Sequence, residues 1–285
     1  MGRSALLVAT ETDAWRKTKI SRYSYEKGTI KYACEKVING TILNQFSMDE
    51  YEGNLRFAAT TYDDNGKTTN GLYIVDSSFK TIGSVSRLAP GERIYSARFM
   101  GESVYFVTYR ETDPLFLVDV SDPANPVVKD KLKIPGFSDY LHPFGENMLL
   151  GIGSIQDKEG NSYVKLSMFD ISNPEKVKEI HSKKLGKNTV QNMGSDHKGI
   201  VVDAERNRIA FGVENYDDTT DSFYEIFSYD KQKGFQNIAK LSLEESYSTE
   251  SRGLYIGDYF YLCKTSSGIC VYDTKKYKKI RSIAY

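Results

Sequence analysis

One short pattern recurs along the chain: an apolar run, an acidic residue that opens a turn, and a second run. The two clearest copies are LFLVDVSDPANPVVKDKLKIPG at 115–136 and LSMFDISNPEKVKEIHSKKLG at 166–186. The acidic residues of all the copies are Glu26, Asp76, Asp119, Asp170, Asp230 and Asp273, separated by about 43–60 residues. Such a period is typical of propellers and repeat arrays. The pattern therefore predicts that the chain consists of repeats of one structural unit rather than of unrelated domains.

A further pair of predicted strands precedes each of the last five copies. Gly101-Glu102, Gly145-Glu146 and Gly257-Asp258 occupy the turn between the two strands in three of them. Glycine supplies the positive φ that a tight hairpin requires, and an acidic neighbour suits the turn. The second strands, such as 104–109 and 259–264, are too apolar to have one solvent face. One repeat is thus four antiparallel strands, which is the blade of a β-propeller.

The predicted fold is an all-β propeller forming a single domain over 1–285, with six visible blade units. We place these units at about 1–40, 41–94, 95–138, 139–187, 188–246 and 247–285. The first unit is partial, because no segment before residue 40 can supply its innermost strand. An unclosed propeller would expose a sheet edge that invites pairing with another chain, so we expect the natural protein to continue upstream.

Composition excludes several classes of function. Lys+Arg and Asp+Glu both number 38, so no global field would attract nucleic acid or an anionic membrane. Tyr (21) and Phe (14) are abundant, which favours strands over helices. No run approaches the roughly 18 apolar residues of a spanning helix, and the apolar segment within residues 1–15 is too short for a signal peptide. We expect a monomer without nucleic-acid partners.

Several segments resemble a known family. These are TILNQFSMDEYEGNLRFAATT (41–61), PLFLVDVSDPANPV (114–127), KIPGFSDYLHPFGENMLLGIG (133–153) and LSMFDISNPEKVKEI (166–180). They are similar to secreted bacterial and archaeal proteins with a C-terminal β-propeller domain, distantly related to WD repeats. The resemblance implies a propeller and an extracellular or cell-envelope location, but it implies no reaction. The upstream blades and export signal of that family are not found in this chain.

Candidate site residues lie in the loops that join the outer strand of one blade to the inner strand of the next. In a propeller these loops open on one face, around the mouth of the central channel. They contain Asn44, Gln45, Glu92, Arg93, Tyr95, Asp139, Tyr140, His142, Asn192, Asp196, His197, Lys198, Glu250 and Arg252. One interpretation is a site for a protein, a peptide or a cell-surface glycan. The other is that Asp and His only tie blade to blade, as they do in WD repeats.

Catalysis is the weaker alternative. The segment GIGSIQ (151–156) lacks the second glycine of a nucleophile elbow, and no phosphate-binding loop is present. The leading hypothesis is therefore a non-enzymatic, extracytoplasmic binding or scaffolding propeller. The rival is a hydrolase or lyase that acts on polysaccharide, using acidic residues and His at the same mouth.

No cofactor is expected, although calcium is an alternative at three loops rich in Asp and Asn. These loops are 61–71, 155–162 and 214–222, and none has the EF-hand spacing. Such residues are also chosen for turn geometry alone. The cysteines form no zinc motif. Cys263 and Cys270 should share a hairpin, which allows either a cross-strand disulfide or buried thiols.

Overall fold

The structure, a computed structural model, describes residues 5–12, 16–63, 65–109, 113–191, 195–216, 221–243, 251–264 and 267–284. Over these ranges the protein is all-β, and its strands form six antiparallel sheets in chain order. The described ranges contain no helix with the length and apolar character needed to cross a membrane. The chain divides into two compact units, residues 1–133 with 174–176 (unit 1) and residues 134–173 with 177–285 (unit 2).

Unit 1 contains the first three sheets. The first has three strands, β1 (Ala5–Glu11), β2 (Thr18–Glu26) and β3 (Thr29–Ile38). The second consists of β4 (Met48–Tyr51), β5 (Asn54–Tyr62), β6 (Thr68–Val75) and β7 (Thr81–Leu88), and the third of β8 (Arg93–Met100), β9 (Ser103–Tyr109), β10 (Asp113–Asp119) and β11 (Val127–Ile134). In the third sheet the recurring acidic residue, Asp119, ends the third strand, β10. In the first sheet the corresponding residue, Glu26, ends β2. Among the described residues the strand missing from the first sheet is therefore its first strand, as predicted.

Unit 2 contains the other three sheets. The fourth consists of β12 (Phe137–Pro143), β13 (Met148–Gln156), β14 (Ser162–Asp170) and β15 (Lys178–Lys184). The fifth consists of β16 (Thr189–Val190), β17 (Val201–Asp203), β18 (Arg208–Asn215), β19 (Asp221–Asp230) and β20 (Gly234–Ser242), and the sixth of β21 (Arg252–Ile256), β22 (Tyr259–Lys264), β23 (Gly268–Asp273) and β24 (Lys279–Ile283). Both β16 and β17 pair with β18, so they are two halves of one first strand.

The recurring aspartates stabilise the turn between the last two strands of their sheets. In each case Oδ1 accepts a hydrogen bond of 2.8–3.0 Å from the backbone N–H two residues later, at Asp76, Asp119, Asp170, Asp230 and Asp273. These are Asx turns, which a short acidic side chain forms with its own backbone. The hydrogen bonds favour the carboxylate and hold the pKa of each group below its usual value. The repeated phrase therefore sets hairpin geometry.

The glycines of the predicted first turns have the expected backbone. Gly101, Gly145 and Gly257 have φ values of 59°, 72° and 57°. A Cβ at any of them would meet nothing within 4 Å, so the requirement is conformational rather than steric.

Apolar side chains of neighbouring sheets form the cores. One cluster in unit 1 joins Ile20 of the first sheet to Phe57 and Val75 of the second. A second joins the second and third sheets, and a third joins the fifth and sixth sheets within unit 2. The predicted second strand β9 is buried without interruption from Val104 to Thr108, so both of its faces are covered. The same prediction is wrong for β22, in which buried residues alternate with exposed or half-buried ones, so one face of this strand is only partly covered.

The cysteines are free, and the disulfide interpretation is wrong. In the register of β22 and β23, Cys263 pairs with Ile269 and Cys270 with Leu262. Because neighbouring residues of a strand point to opposite faces, the two thiols lie on opposite sides of the sheet. Cys270 is a buried thiol, as the alternative predicted.

Glycines bring the first strand of the fourth sheet close to the second. β12 has a bulge at Asp139, next to the pair formed by Ser138 and Gly153. A Cβ on Gly153 would lie 1.7 Å from the carbonyl oxygen of Phe137, and one on Gly151 would lie 2.6 Å from Oγ of Ser138. The glycines of GIGSIQ therefore admit this bulge, which places Asp139.

Gly153→Ala should destabilise the protein by about 3 kcal/mol or more, because a backbone oxygen blocks the new methyl group. Gly186→Ala is the matched control, since its Cβ would meet only Thr189 Cγ2 at 3.5 Å and its φ is not positive. Thermal unfolding should show a melting temperature lowered by about 6–12 °C for Gly153→Ala and nearly unchanged for Gly186→Ala. Equal effects of the two variants would contradict the close approach.

Candidate functional site

In two sheets a single-residue bulge breaks the first strand near its beginning. The bulge residue of β8 is Tyr95, between the pairs made by Ile94 and Ser96, and that of β12 is Asp139. A bulge leaves one residue out of the ladder and re-aims its side chain, and bulges are common beside functional sites. Two of the predicted site residues therefore lie where the ladder is broken.

In two other sheets a longer segment breaks the first strand. In the second sheet Thr41 bridges to Thr60, a 3₁₀ turn spans Gln45–Ser47, and β4 follows. In the fifth sheet β16 ends at Val190 and β17 begins at Val201, and the described residues of the break between them are Gln191 and 195–200. The first break contains the predicted residues Asn44 and Gln45, and the second contains Asp196, His197 and Lys198. Asn192 and Glu250 lie outside the described residues.

Asp139 is the most unusual of the predicted site residues. Its Oδ2 accepts a hydrogen bond of 2.6 Å from Nε2 of Gln191, in the break of the next sheet of unit 2. Burial raises the pKa of Asp139 to about 6, and the hydrogen bond from Gln191 opposes this only in part. Among the described residues no cation forms an ion pair with this carboxylate. A desolvated carboxylate therefore lies on a first strand.

The same break is tied to the sixth sheet on its other side. Asp196 forms an ion pair with Arg252 of β21, with Oδ2 and Nη1 2.7 Å apart and a second contact of 2.9 Å. The hydroxyl of the fully buried Tyr224 donates to the carbonyl of Gly199 at 2.7 Å and accepts from the amide of Gly253 at 3.2 Å. The break thus bridges three successive sheets, and Asp196 makes the kind of tie between blades that the structural alternative predicts.

The remaining predicted residues differ in their burial and in their contacts. Tyr140 is buried, and its hydroxyl lies 2.9 Å from Nδ1 of the half-buried His142. In unit 1, Arg93 is exposed, Tyr95 packs edge-on against Tyr109 with ring centroids 5.4 Å apart, and Asn44 accepts from the amide of Phe46 at 3.0 Å. Gln45 and Lys198 are exposed and His197 is half-buried. Within unit 2 the structure joins Asp139 to Gln191, Asp196 to Arg252, and Tyr140 to His142.

Comparison with known proteins identifies the family. A model of the beta propeller domain matches residues 1–277. The chain belongs to this family. The propeller prediction is therefore confirmed, and the six sheets are its blades.

Two archaeal relatives of this propeller chain are described as uncharacterised proteins. One from Archaeoglobus fulgidus is 35% identical over 266 residues, covering 93% of this chain and 38% of that protein. One from Methanocaldococcus jannaschii is 47% identical over 150 residues, covering 52% of this chain and 24% of that protein. The chain thus spans less than two fifths of the length of either relative.

A solved propeller of similar fold is BamB from Moraxella catarrhalis. It shares 13% identity and a TM-score of 0.55, covering 99% of this chain and 76% of that chain. At this identity the likeness concerns the fold alone.

The loops considered for calcium use their described carboxylates in turns. Asp157 accepts from the amides of Glu159 and Asn161 through Oδ1, and from Asn161 and Tyr163 side chains through Oδ2. These bonds lower the pKa of Asp157 to about 2. No group of three or more His, Cys, Asp or Glu side chains suited to a metal is found in the part of the chain that the structure describes. Asp64 and residues 217–220, within the other loops, fall outside that part.

Sequence reasoning missed Gln191 and Tyr224. Gln191 lies next to a predicted loop, and only the packing of the fourth sheet against the fifth brings its amide to Asp139. Tyr224 follows the alternating pattern of a buried strand, which predicts burial of its ring but not the partners of its hydroxyl.

Asp139→Asn should stabilise the protein at pH 7–8 and lose this advantage as the pH falls. The folded state keeps the Asp139 proton to about pH 6, whereas the unfolded chain releases it near pH 4. The contribution of Asp139 to the free energy of unfolding therefore falls as the pH rises from about 4 to about 6, and it is fully lost at higher pH. We expect a gain of about 1–3 kcal/mol at pH 7.5, shrinking towards pH 4.5, in urea unfolding across pH.

The contrasting control is Asp157→Asn, at an exposed turn. The lowered pKa of Asp157 means that its carboxylate contributes stability above about pH 4 that is lost as the pH falls towards 2. This variant should be less stable than the wild type at neutral pH. A pH trend of the same sign for both variants would contradict the assignment of Asp139.

Proposed function

We propose that this propeller is a non-enzymatic binding module whose ligand contacts the broken first strands of unit 2. The observation that carries the proposal is the half-buried and largely desolvated carboxylate of Asp139, which has one amide partner and no ion pair among the described residues. Burial of a carboxylate without a countercharge costs free energy. A ligand that donates a hydrogen bond to the carboxylate of Asp139 would offset this cost.

The chemistry around Asp139 suits a hydroxyl-rich ligand, and we propose a glycan. Only Oδ2 of the carboxylate has a hydrogen bond among the described residues, so Oδ1 offers an acceptor to a sugar hydroxyl. His142 lies on the same strand and adds a polar ring. Charge balance, with equal numbers of acidic and basic residues, supports a neutral ligand better than nucleic acid.

The break in the fifth sheet supports this proposal from the other side. The ion pair of Asp196 with Arg252 and the hydrogen bonds of Tyr224 hold the segment around His197 in place. A binding site needs side chains whose positions are held before the ligand arrives. In this proposal Asp196 and Tyr224 position the segment, whereas Asp139 and His142 contact the ligand.

A glycan array, with a peptide array beside it, should give a signal with the wild-type protein that Asp139→Asn weakens at least about 10-fold, because hydrogen bonds to a charged group are strong. This variant is expected to be more stable than the wild type at neutral pH, so lost binding cannot reflect unfolding. The matched control is Glu146→Gln, on an exposed turn of the same sheet.

Three results would count against the proposal. No signal on the glycan array would remove the glycan, and a signal on peptides alone would replace it by a peptide. Equal binding by the wild type and Asp139→Asn would show that Asp139 only ties the fourth sheet to the fifth.

A second candidate function is a hydrolase or lyase acting on polysaccharide. It rests on the pKa of Asp139, since a carboxyl with a pKa of about 6 suits a general acid. This reading predicts new reducing ends or unsaturated products when the protein is incubated with its polysaccharide, and their loss in Asp139→Asn. Binding without turnover would leave the binding module as the function.

We also propose an extracytoplasmic location and a monomeric domain. The location is supported by the resemblance of residues 41–61 and 133–153 to secreted propeller proteins. Fractionation of cells that express the complete natural protein tests the location, and light scattering of the purified domain tests its mass.

A further inference from the structure

A cavity of about 290 Å³ lies between the first and second sheets of unit 1. Its wall on the second sheet is formed by side chains of three strands, namely Phe57, Ala59 and Thr61 of β5, Tyr73 and Val75 of β6, and Thr81 of β7. These residues point to one face of that sheet, because Phe57 pairs with Tyr73 and Leu55 with Val75. The opposite wall is the end of β3, from Lys36 to Ile38.

The wall of the cavity on the second sheet has large side chains at one end and small ones at the other. The rings of Phe57 and Tyr73 are stacked with centroids 5.3 Å apart and form an aromatic surface. Ala59 and Thr61, further along β5, have small side chains and also line the cavity. The volume lies just below the usual range for small-molecule sites, about 300–1,000 Å³, and therefore suits only a small ligand.

Lys36 is the one charged side chain among the described residues that line the cavity. Its ammonium donates to the carbonyl of Phe79 at 2.7 Å, and no ion pair of Lys36 is found within the described ranges. An ammonium has three donors, so two remain for another acceptor. Lys19, on the neighbouring strand, instead faces Glu35 at 3.6 Å.

We propose that this cavity binds a small apolar molecule with one anionic group, such as a medium-chain carboxylate. The aromatic and aliphatic wall buries the apolar part, and the Lys36 ammonium pairs with the anion. The site lies in unit 1 and shares no residue with the glycan site proposed in unit 2.

Isothermal titration calorimetry with octanoate and its neutral counterpart octanol tests both halves of this proposal. We expect one octanoate per chain with a Kd of about 0.1–1 mM, a range suited to so small a ligand. Lys36→Met should raise the Kd of octanoate about 10-fold and leave that of octanol nearly unchanged, because only the anion uses the charge.

Two further variants complete the experiment. Lys31→Met removes an exposed lysine of the same strand outside the cavity and should bind octanoate as the wild type does. Thr61→Phe fills the cavity from a half-buried position and should abolish binding of both probes. The melting temperature of Thr61→Phe shows whether this variant folds. If it does not fold, Lys36→Met alone tests the site.

Each result decides a part of the proposal. No octanoate binding by the wild type overturns the site, and equal loss of both probes in Lys36→Met overturns the anionic class. Asp139→Asn should bind octanoate normally, so failure of the glycan proposal and failure of this one are distinguishable.

Discussion

The burial of the middle strands on both faces is the constraint on which the rest of this structure depends. Residues 55–60 of β5 and 164–169 of β14 are buried without interruption, so side chains on both faces of each sheet are removed from water. Such a sheet requires another sheet on either side. For β5 these partners are the first and the third sheet, because one apolar cluster joins the second sheet to the first and another joins it to the third. Repetition of one four-stranded element is the simplest chain that meets this requirement.

The constraint leaves the first strands as the place for function. The fourth strands are largely exposed, as in β24, whereas middle strands such as β5, β9 and β14 are buried on both faces. First strands are half-buried, and bulges or longer breaks interrupt them in the second to fifth sheets. Polar groups such as Asp139 are therefore held by a rigid sheet while leaving its ladder. The cavity beside Lys36 arises differently, where two sheets pack imperfectly.

Local features were predictable because local chemistry decides them. The Asx turn at Asp119 and the positive φ of Gly101 depend on a few consecutive residues. Features that join distant segments of the chain could not be predicted from the sequence. The alternative of a disulfide was wrong because a register step of one residue places Cys263 and Cys270 on opposite faces, and hydrophobic alternation does not determine cysteine pairing. The contact of Gln191 with Asp139 was missed because it joins two sheets.

The sequence by itself determined the blades, because their period, their four strands and their turns follow from apolar runs and turn residues. It also indicated where polar residues collect. Only the tertiary structure decided which of them act together, because hydrogen bonds and desolvation depend on packing between sheets. Asp139 and Asp196 look alike in the sequence, yet burial raises the pKa of the first to about 6, whereas Arg252 pairs with the second. The two carboxylates differ because the neighbouring blade supplies the amide of Gln191 to Asp139 and the guanidinium of Arg252 to Asp196.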